Sequence, residues 1–268
     1  MIVTVMVPFI ARNWPFANGS GRILDKYAKR VDLGHGERIA RTSDGFPIHV
    51  YADDLIGRHI LMSGKFDRSV VQALLRHARP GDTLLDIGAN IGYVSAVFLK
   101  KVRNGTALCI EPQPGVVDLL RKNLAQFGNR ADVLQVGLAD RDDTLRFHVD
   151  EANRGASRIR EDGETEIPVR EARKVLRTIP RVDLLKIDVE GFEEPIFRSM
   201  EDELKRLLPR AILFEDQTGA ASPAGAIGVI LTRLGYRIHG VDKKLFKTGL
   251  VRIHAQGDCR FNDYLAVI

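Results

Sequence analysis

Asp86-Ile87-Gly88-Ala89-Asn90-Ile91-Gly92-Tyr93 joins a carboxylate at the end of a β-rich run, Thr83 to Ile87, to a turn bracketed by two glycines. The apolar run Tyr93 to Leu99 then reads as a helix. Strand, glycine turn and helix form a binding device: glycines let the backbone approach a ligand, and the helix start offers unpaired N–H groups. Spacing narrows the ligand. A dinucleotide loop is Gly-x-Gly-x-x-Gly, with its second glycine making room for a pyrophosphate. Here the pattern is Gly88-x-x-x-Gly92 with Asn90 between, and the Gly-Lys-Ser/Thr of a phosphate loop is absent. The loop suits a nucleoside without a pyrophosphate. An ordinary βα turn is the plainer alternative, weakened by two glycines flanking Asn90 so soon after Asp86.

Other carboxylates fall at the carboxyl ends of strands, where open α/β sheets bind ligands. Glu111 ends the second strand, about 20 residues beyond the glycine loop, and can accept both hydroxyls of a ribose. Asp188 and Glu190 follow the fourth strand, and Glu215 and Asp216 follow the fifth.

The elements that must position them alternate from residue 81 onward, as in a parallel sheet. Thr83 to Asp86, Ala107 to Glu111, Asp132 to Val136, Val182 to Ile187 and Ala211 to Phe214 read as strands. Helices are expected over Tyr93 to Lys101, from Val116 to Phe127, after Asp188 with Pro195 in the first turn, and over Ile227 to Leu234. Tyr236 to His239 and Tyr264 to Ile268 close the sheet, the last as an edge strand. Thr144 to Val149 and Glu166 to Val169 break the alternation as a β insertion spanning about 141–170. Between them, Glu151 to Gly163 carries Arg154, Arg158 and Arg160 and reads as a surface hairpin or a substrate loop.

Ahead of the sheet, Arg22 to Val31 and Ile56 to Ser63 have helical spacing. Ser43-Asp44-Gly45 between two short runs signals a hairpin. Asp67 is placed to cap a helix through Val70 to Leu75. Met1 to Ile10 is too short to span a bilayer and reads as a strand or packed arm, with membrane-surface contact as the lesser alternative. The division expected is an extension of helices and a hairpin over 1–80, and an α/β domain over 81–268.

These motifs carry a resemblance. Asp86 to Gly92, then Glu111-Pro112, then Leu185-Lys186-Ile187-Asp188-Val189-Glu190-Gly191 with Glu193 close behind, resemble the FkbM-type methyltransferase family. Gly81-Asp82 and Phe214-Glu215 fit as well, and Phe66-Asp67 stands where the family often has Tyr-Glu. The resemblance implies a class I methyltransferase fold: α/β, a Rossmann-like seven-stranded, mostly parallel sheet with helices on both faces. It implies S-adenosylmethionine as methyl donor and O-methylation of a hydroxyl on a sugar, glycan or secondary-metabolite acceptor. It carries cofactor contact to Phe66, Asp86, Gly88, Ala89, Asn90, Gly92, Tyr93, Glu111, Pro112 and Asp188.

A sulfonium methyl is already electrophilic, so the protein must mainly align a hydroxyl and accept its proton. Asp188 is expected near the reacting centre, with Glu190 or Glu215 as base. A carboxylate that merely stabilises a helix start is the equal alternative for Glu190. Asp188, Glu215 and Asp216 offer a second route, in which Mg²⁺ lowers the pKa of a bound hydroxyl.

Composition sets bounds. The chain has 268 residues, 44% of them apolar, which suits one large α/β domain with an extension. Two cysteines, Cys109 and Cys259, exclude a disulfide framework and point to the cytoplasm. The net charge of +5 divides into +5 for residues 1–80, −4 for the middle and +4 for 217–268. Basic flanks can steer an anionic substrate, or can be solvated surface. No basic stretch carries interleaved aromatics of the RNA-binding type, so no nucleic-acid partner is expected. Trp14 and Phe16 form an apolar patch that packs on the domain or on a second subunit of a homodimer. The rival class of function is a non-catalytic methyltransferase-like module that binds a glycan or protein partner. An NAD-dependent oxidoreductase is a third reading, weakened by the missing third glycine.

Overall fold

The computed structural model describes residues 2–16, 18–27, 31–150, 154, 158–159 and 162–268. Most of the polar loop expected over Glu151 to Gly163 lies outside them.

The first two helices, α1 (Ile2–Arg12) and α2 (Ser20–Tyr27), precede a hairpin of β1 (Glu37–Arg41) and β2 (Pro47–Tyr51) that turns at Gly45, φ +86°. The first segment is a helix rather than a strand. Val7 and Ala11, one turn apart, are buried with Leu24, Val31 and Met62, while Pro8 would break a strand ladder. Helix α3 (Leu55–Ser63) starts at Asp54, whose side chain accepts from Gly57 N–H, and stops at Gly64 in the left-handed region, φ +74°. Helix α4 (Arg68–Leu75) is not capped by the Asp67 carboxylate, contrary to expectation. That group is turned to the Lys243 ammonium, 2.8 Å away.

The alternating part follows as β3 (Thr83–Ile87), α5 (Tyr93–Lys101), β4 (Thr106–Ile110), α6 (Pro114–Leu124) and β5 (Ala131–Leu134). An insertion comprises β6 (Gly137–Ala139), β7 (Asp143–His148), β8 (Arg158–Ile159) and β9 (Thr165–Glu171). The chain returns through α7 (Ala172–Arg177), β10 (Leu184–Ile187), α8 (Glu193–Ser199), α9 (Glu201–Leu207), β11 (Ala211–Glu215) and α10 (Ala226–Arg233). It closes with β12 (Arg237–Lys243), β13 (Thr248–Arg252) and β14 (Asp263–Val267).

The main sheet has the order β13-β12-β14-β11-β10-β3-β4-β5. Strands β5 to β11 along this order run parallel; β14, β12 and β13 pair antiparallel. The seven expected strands are present, and β13 adds an eighth by hairpin from β12. The expectation that Tyr264 to Ile268 forms an edge is corrected: β14 lies between β11 and β12, with Tyr264 to Ala266 almost inaccessible. Neighbouring residues on the central strands face opposite layers. Leu84 and Leu184 join α4, α5 and α6, while Leu85 and Leu185 join α7, α8, α9 and α10. Cover on both faces explains why these strands are continuously apolar. The hairpin shares the first layer through Ile48 and Val50, and buried Asn123 on α6 bonds His49 at both its N–H (2.6 Å) and its carbonyl (2.9 Å).

The insertion is a separate sheet, β6-β9-β7-β8. Its alternating β9 buries Ile167 and Val169 against Phe147 and Ala139.

Candidate active site

The glycine turn is built around β4. Gly88 and Ala89 N–H both donate to the Ile110 carbonyl, at 2.9 and 3.1 Å. Gly88 (φ +73°) passes so close to β10 that a Cβ there would lie 1.7 Å from the Asp188 carbonyl oxygen. Asn90 also takes a positive φ, +49°, stabilised by its own side chain, which accepts from Ile91 N–H at 2.7 Å. The N–H of Asn90 then points at Glu111 Oε2, 2.9 Å away, and Gln113 N–H donates to Oε1 at 3.0 Å. Burial pushes this carboxyl up to about 6, against the two backbone donors that hold it down. Each oxygen receives one backbone N–H, so each keeps acceptor capacity for a ligand hydroxyl.

This turn forms one wall of a cavity of ≈ 330 Å³ at the carboxyl ends of β3, β4, β10 and β11. Phe66, Gly88, Ala89, Asn90, Tyr93, Glu111, Pro112 and Asp188 line it, as do Glu190 and Glu215. Burial pushes the Tyr93 hydroxyl up to about 12. Three expected contacts do not reach the cavity. Asp86 is fully buried behind the turn, where its Oδ2 accepts from the Ser95 hydroxyl (2.7 Å) and its Oδ1 lies 3.3 Å from the Lys186 ammonium. Gly92 is the N-cap of α5, where a Cβ would strike Leu120 instead. Asp216 caps the loop after β11, accepting from Thr218 N–H, the Thr218 hydroxyl and Ala221 N–H at 2.7–2.8 Å.

The loop after β10 brings the acids together. Glu190 has φ +52°, and Glu193 fixes the turn by accepting from Val189 N–H (3.0 Å) and Gly191 N–H (2.9 Å). Ligand oxygens of Asp188, Glu190 and Glu215 lie within 4.8 Å of one another. Glu190, not Asp216, is the third acid of this cluster beside the expected Asp188 and Glu215. The Lys186 ammonium, 3.4 Å from Asp188, already supplies positive charge there. Burial pushes the Glu215 carboxyl up to about 7; Gln217 donates to it at 2.8 Å and opposes the rise, while Asp188, Glu190 and Asp263 add to it. A half-buried carboxyl titrating near neutrality is suited to general-base work.

Lys186 ties these parts together. Burial disfavours its charge, yet Asp86 and Asp188 more than offset that and hold it above the ordinary lysine range. It also donates to the Gly88 carbonyl at 2.7 Å.

A sequence model described as the methyltransferase FkbM domain matches residues 86–238, more than half of the chain, from the end of β3 to the start of β12. The chain belongs to the FkbM methyltransferase family. A hexuronic acid methyltransferase, AglP, of Haloferax volcanii is 25% identical over 142 residues, 52% of this chain and 58% of that protein. Methyltransferase 1 of Beauveria bassiana is 26% identical over 161 residues, 50% of this chain and 65% of that protein. The match thus spans about three-fifths of each relative's length. The crystal structure of methyltransferase FkbM from Methylobacillus flagellatus KT superposes with a TM-score of 0.45 at 15% identity, covering 79% of this chain and 54% of that one.

Several cavity residues of this FkbM-family chain carry no signal in isolation. Lys243, on β12, pairs with Asp67 at 2.8 Å and Asp263 at 2.9 Å. Burial and Asp67 push the Asp263 carboxyl up to about 6, with Lys243 opposing. Val136, Leu138, Phe147 and Ile167 bring the insertion into the wall, and Arg154 joins them. Arg154 N–H donates to Asp54 Oδ1 at 2.6 Å, and its guanidinium lies 4.1 Å from the centre of the Tyr51 ring. The polar composition of 151–163 is the one hint that sequence offers for it. Lys186 sits inside a recognised motif, but only its buried pairing with Asp86 reveals its task.

Proposed function

We propose that this chain is an S-adenosylmethionine-dependent O-methyltransferase acting on a hydroxyl of a sugar, glycan or secondary-metabolite acceptor. The observation that carries the reading is Glu111: a buried carboxylate fixed by Asn90 and Gln113 N–H, with acceptor capacity left over, beside a turn too tight for any residue but glycine at 88. Those residues fit a ribose. Apolar Val136, Leu138 and Phe147 offer a surface for an adenine, and Phe66 and Tyr93 line the same cavity. The bound donor supplies an electrophilic methyl group.

The chain's own residues do the rest. Glu215 accepts the proton of the acceptor hydroxyl, because its carboxyl titrates near neutrality while remaining half-buried. Asp188 and Glu190 raise its proton affinity, and Lys186 holds Asp188 in place. Holding the two reactants in line is worth up to about 7–11 kcal/mol of the barrier, the largest contribution the protein can make here. The hexuronic acid relative favours a sugar acceptor. Magnesium is not part of this reading.

On the same reading, 81–268 is the transfer domain and 1–80 an extension that covers it, supported by Leu55, Ile56 and Phe66 in the cavity wall. A cytoplasmic setting accompanies it, since Cys109 and Cys259 are free thiols. The test is calorimetric titration with S-adenosylhomocysteine, followed by incubation with labelled donor and a panel of free sugars, sugar nucleotides, glycolipid precursors and macrolide-like alcohols. Binding and label transfer to a hydroxyl are expected. Binding without transfer, with Glu215 dispensable for partner binding, favours a non-catalytic module.

A further inference from the structure

An aromatic cluster stands on the surface beside the cavity, outside residues 86–238. Trp14 meets Phe16 edge to face with ring centres 5.3 Å apart, and Phe16 meets Phe246 in the same way at 5.0 Å. Phe246 lies in the turn between β12 and β13 and is 75% exposed; Leu245 beside it is 42% exposed. Lys244 and Lys247, both exposed, bracket the two. The turn is held in this pose. Asn18 N–H donates to the Leu245 carbonyl (3.1 Å), the Asn18 amide to the Lys244 carbonyl (2.7 Å), and the Trp14 indole N–H to the Asn18 carbonyl (2.7 Å).

The molecule thus keeps large apolar side chains in water at a fixed place, which marks an interaction surface. Helix α1 continues the theme: Val7 and Ala11 are buried, while Met6 (47% exposed) and Phe9 (63% exposed) face outward. The charge at the tip is complementary to an anionic partner: exposed Lys247 and Lys244 flank the apolar pair, and Lys244, although 3.0 Å from the Asp242 carboxylate, keeps most of its side chain in water. A second copy of the chain fits less well, because a two-fold contact through the tip would set its lysines against their own symmetry mates. Aromatic rings beside apolar tips and flanking lysines suit a lipid headgroup layer over apolar chains. The patch also adjoins the catalytic cavity. Lys243, next to Lys244, lines that cavity and pairs with Asp67 and Asp263.

We propose that this face docks on an anionic phospholipid surface and sets the Lys243 edge of the cavity at the lipid headgroups. The contact is peripheral; no described helix is long and apolar enough to cross a membrane.

The test is co-sedimentation of the full chain with phosphatidylcholine vesicles, with and without phosphatidylglycerol. Trp14 is the single tryptophan, so its emission reports on the patch directly. Binding to the phosphatidylglycerol vesicles, a blue shift in emission and release by high salt are expected. Replacing both lysines, Lys244→Gln with Lys247→Gln, should weaken binding on the order of 30-fold. Phe246→Ser should lower binding and reduce the blue shift, with the fold intact by circular dichroism because the side chain is 75% exposed. Failure to sediment with anionic vesicles at low salt overturns the proposal. So does a dimer in light scattering that Phe246→Ser dissociates while vesicles remain unbound, which would assign the face to a second copy.

Discussion

Gly88 and Asp188 lie on neighbouring parallel strands' exits, and a methyl group on Gly88 would sit 1.7 Å from the Asp188 carbonyl oxygen. The glycine turn and the residue that opens the acidic end of the cavity are therefore in close backbone contact. Moving one moves the other.

Gly88→Val tests that contact. It must adopt φ near +73° with a β-branched side chain and push β10 away at the same time. Loss of S-adenosylhomocysteine heat in calorimetry and a lower melting temperature are expected.

Glu111→Gln keeps the shape of the side chain but removes its charge and exchanges an acceptor for an amide donor facing Asn90 or Gln113 N–H. Hydrogen bonds to a charged group contribute about 1.5–3 kcal/mol each. The dissociation constant for S-adenosylhomocysteine should rise on the order of 10–100-fold, with the fold intact by circular dichroism. Unchanged affinity would remove Glu111 from the ribose role.

The proposed role of Glu215 as base predicts a pH dependence. With its carboxyl near 7, the rate at low substrate should climb about tenfold per pH unit below neutrality and level off above it. Glu215→Gln should lose this limb and roughly 10²–10⁴ of the rate. The stability consequence has the opposite sign. The folded carboxyl keeps its proton to a higher pH than the unfolded one, whose value is near 4.5. Between about 4.5 and 7 the unfolded state therefore binds fewer protons, and stability falls as pH rises. Above 7 the penalty is constant. Glu215→Gln should accordingly melt higher than the parent at pH 8 and equal to it at pH 4, measured by calorimetry.

Lys186→Met leaves the fully buried Asp86 carboxylate without its cation. Removing one member of a buried pair costs about 3–5 kcal/mol. A fall of that size in urea unfolding is expected, and Lys186→Met with Asp86→Asn should recover part of it. Full additivity of the two changes would show that the pair is not coupled.

EDTA should leave methyl transfer unchanged, and added Mg²⁺ should not raise it. The Lys186 ammonium 3.4 Å from Asp188 occupies the charge role that the ion would fill. Inhibition by EDTA that Mg²⁺ reverses would return a metal to the Asp188, Glu190 and Glu215 cluster.

The sequence by itself determined what depends on near neighbours. The strand–turn–helix at Asp86 to Tyr93, the acid closing the second strand and the Asp188 to Glu193 loop are local patterns, so spacing alone placed them at the ends of parallel strands. The glycine at 88 was legible as a special position for the same reason. Tertiary structure decided everything that needs two distant segments. Asp86 and Glu111 look alike in sequence, both acids ending strands. Only packing turns Asp86 inward to Lys186 and Ser95 while leaving Glu111 on the cavity. Glu215 and Asp216 are adjacent, yet alternation along an extended chain sends one into the cavity and the other into a loop cap. The positions of β13 and β14 depend on which strand pairs with which, because a last strand reads the same at an edge as in the interior. Lys243 and Asp263 meet Asp67 from segments far along the chain. Such encounters leave no periodicity to read, because the free energy that selects them comes from burial shared by the whole sheet.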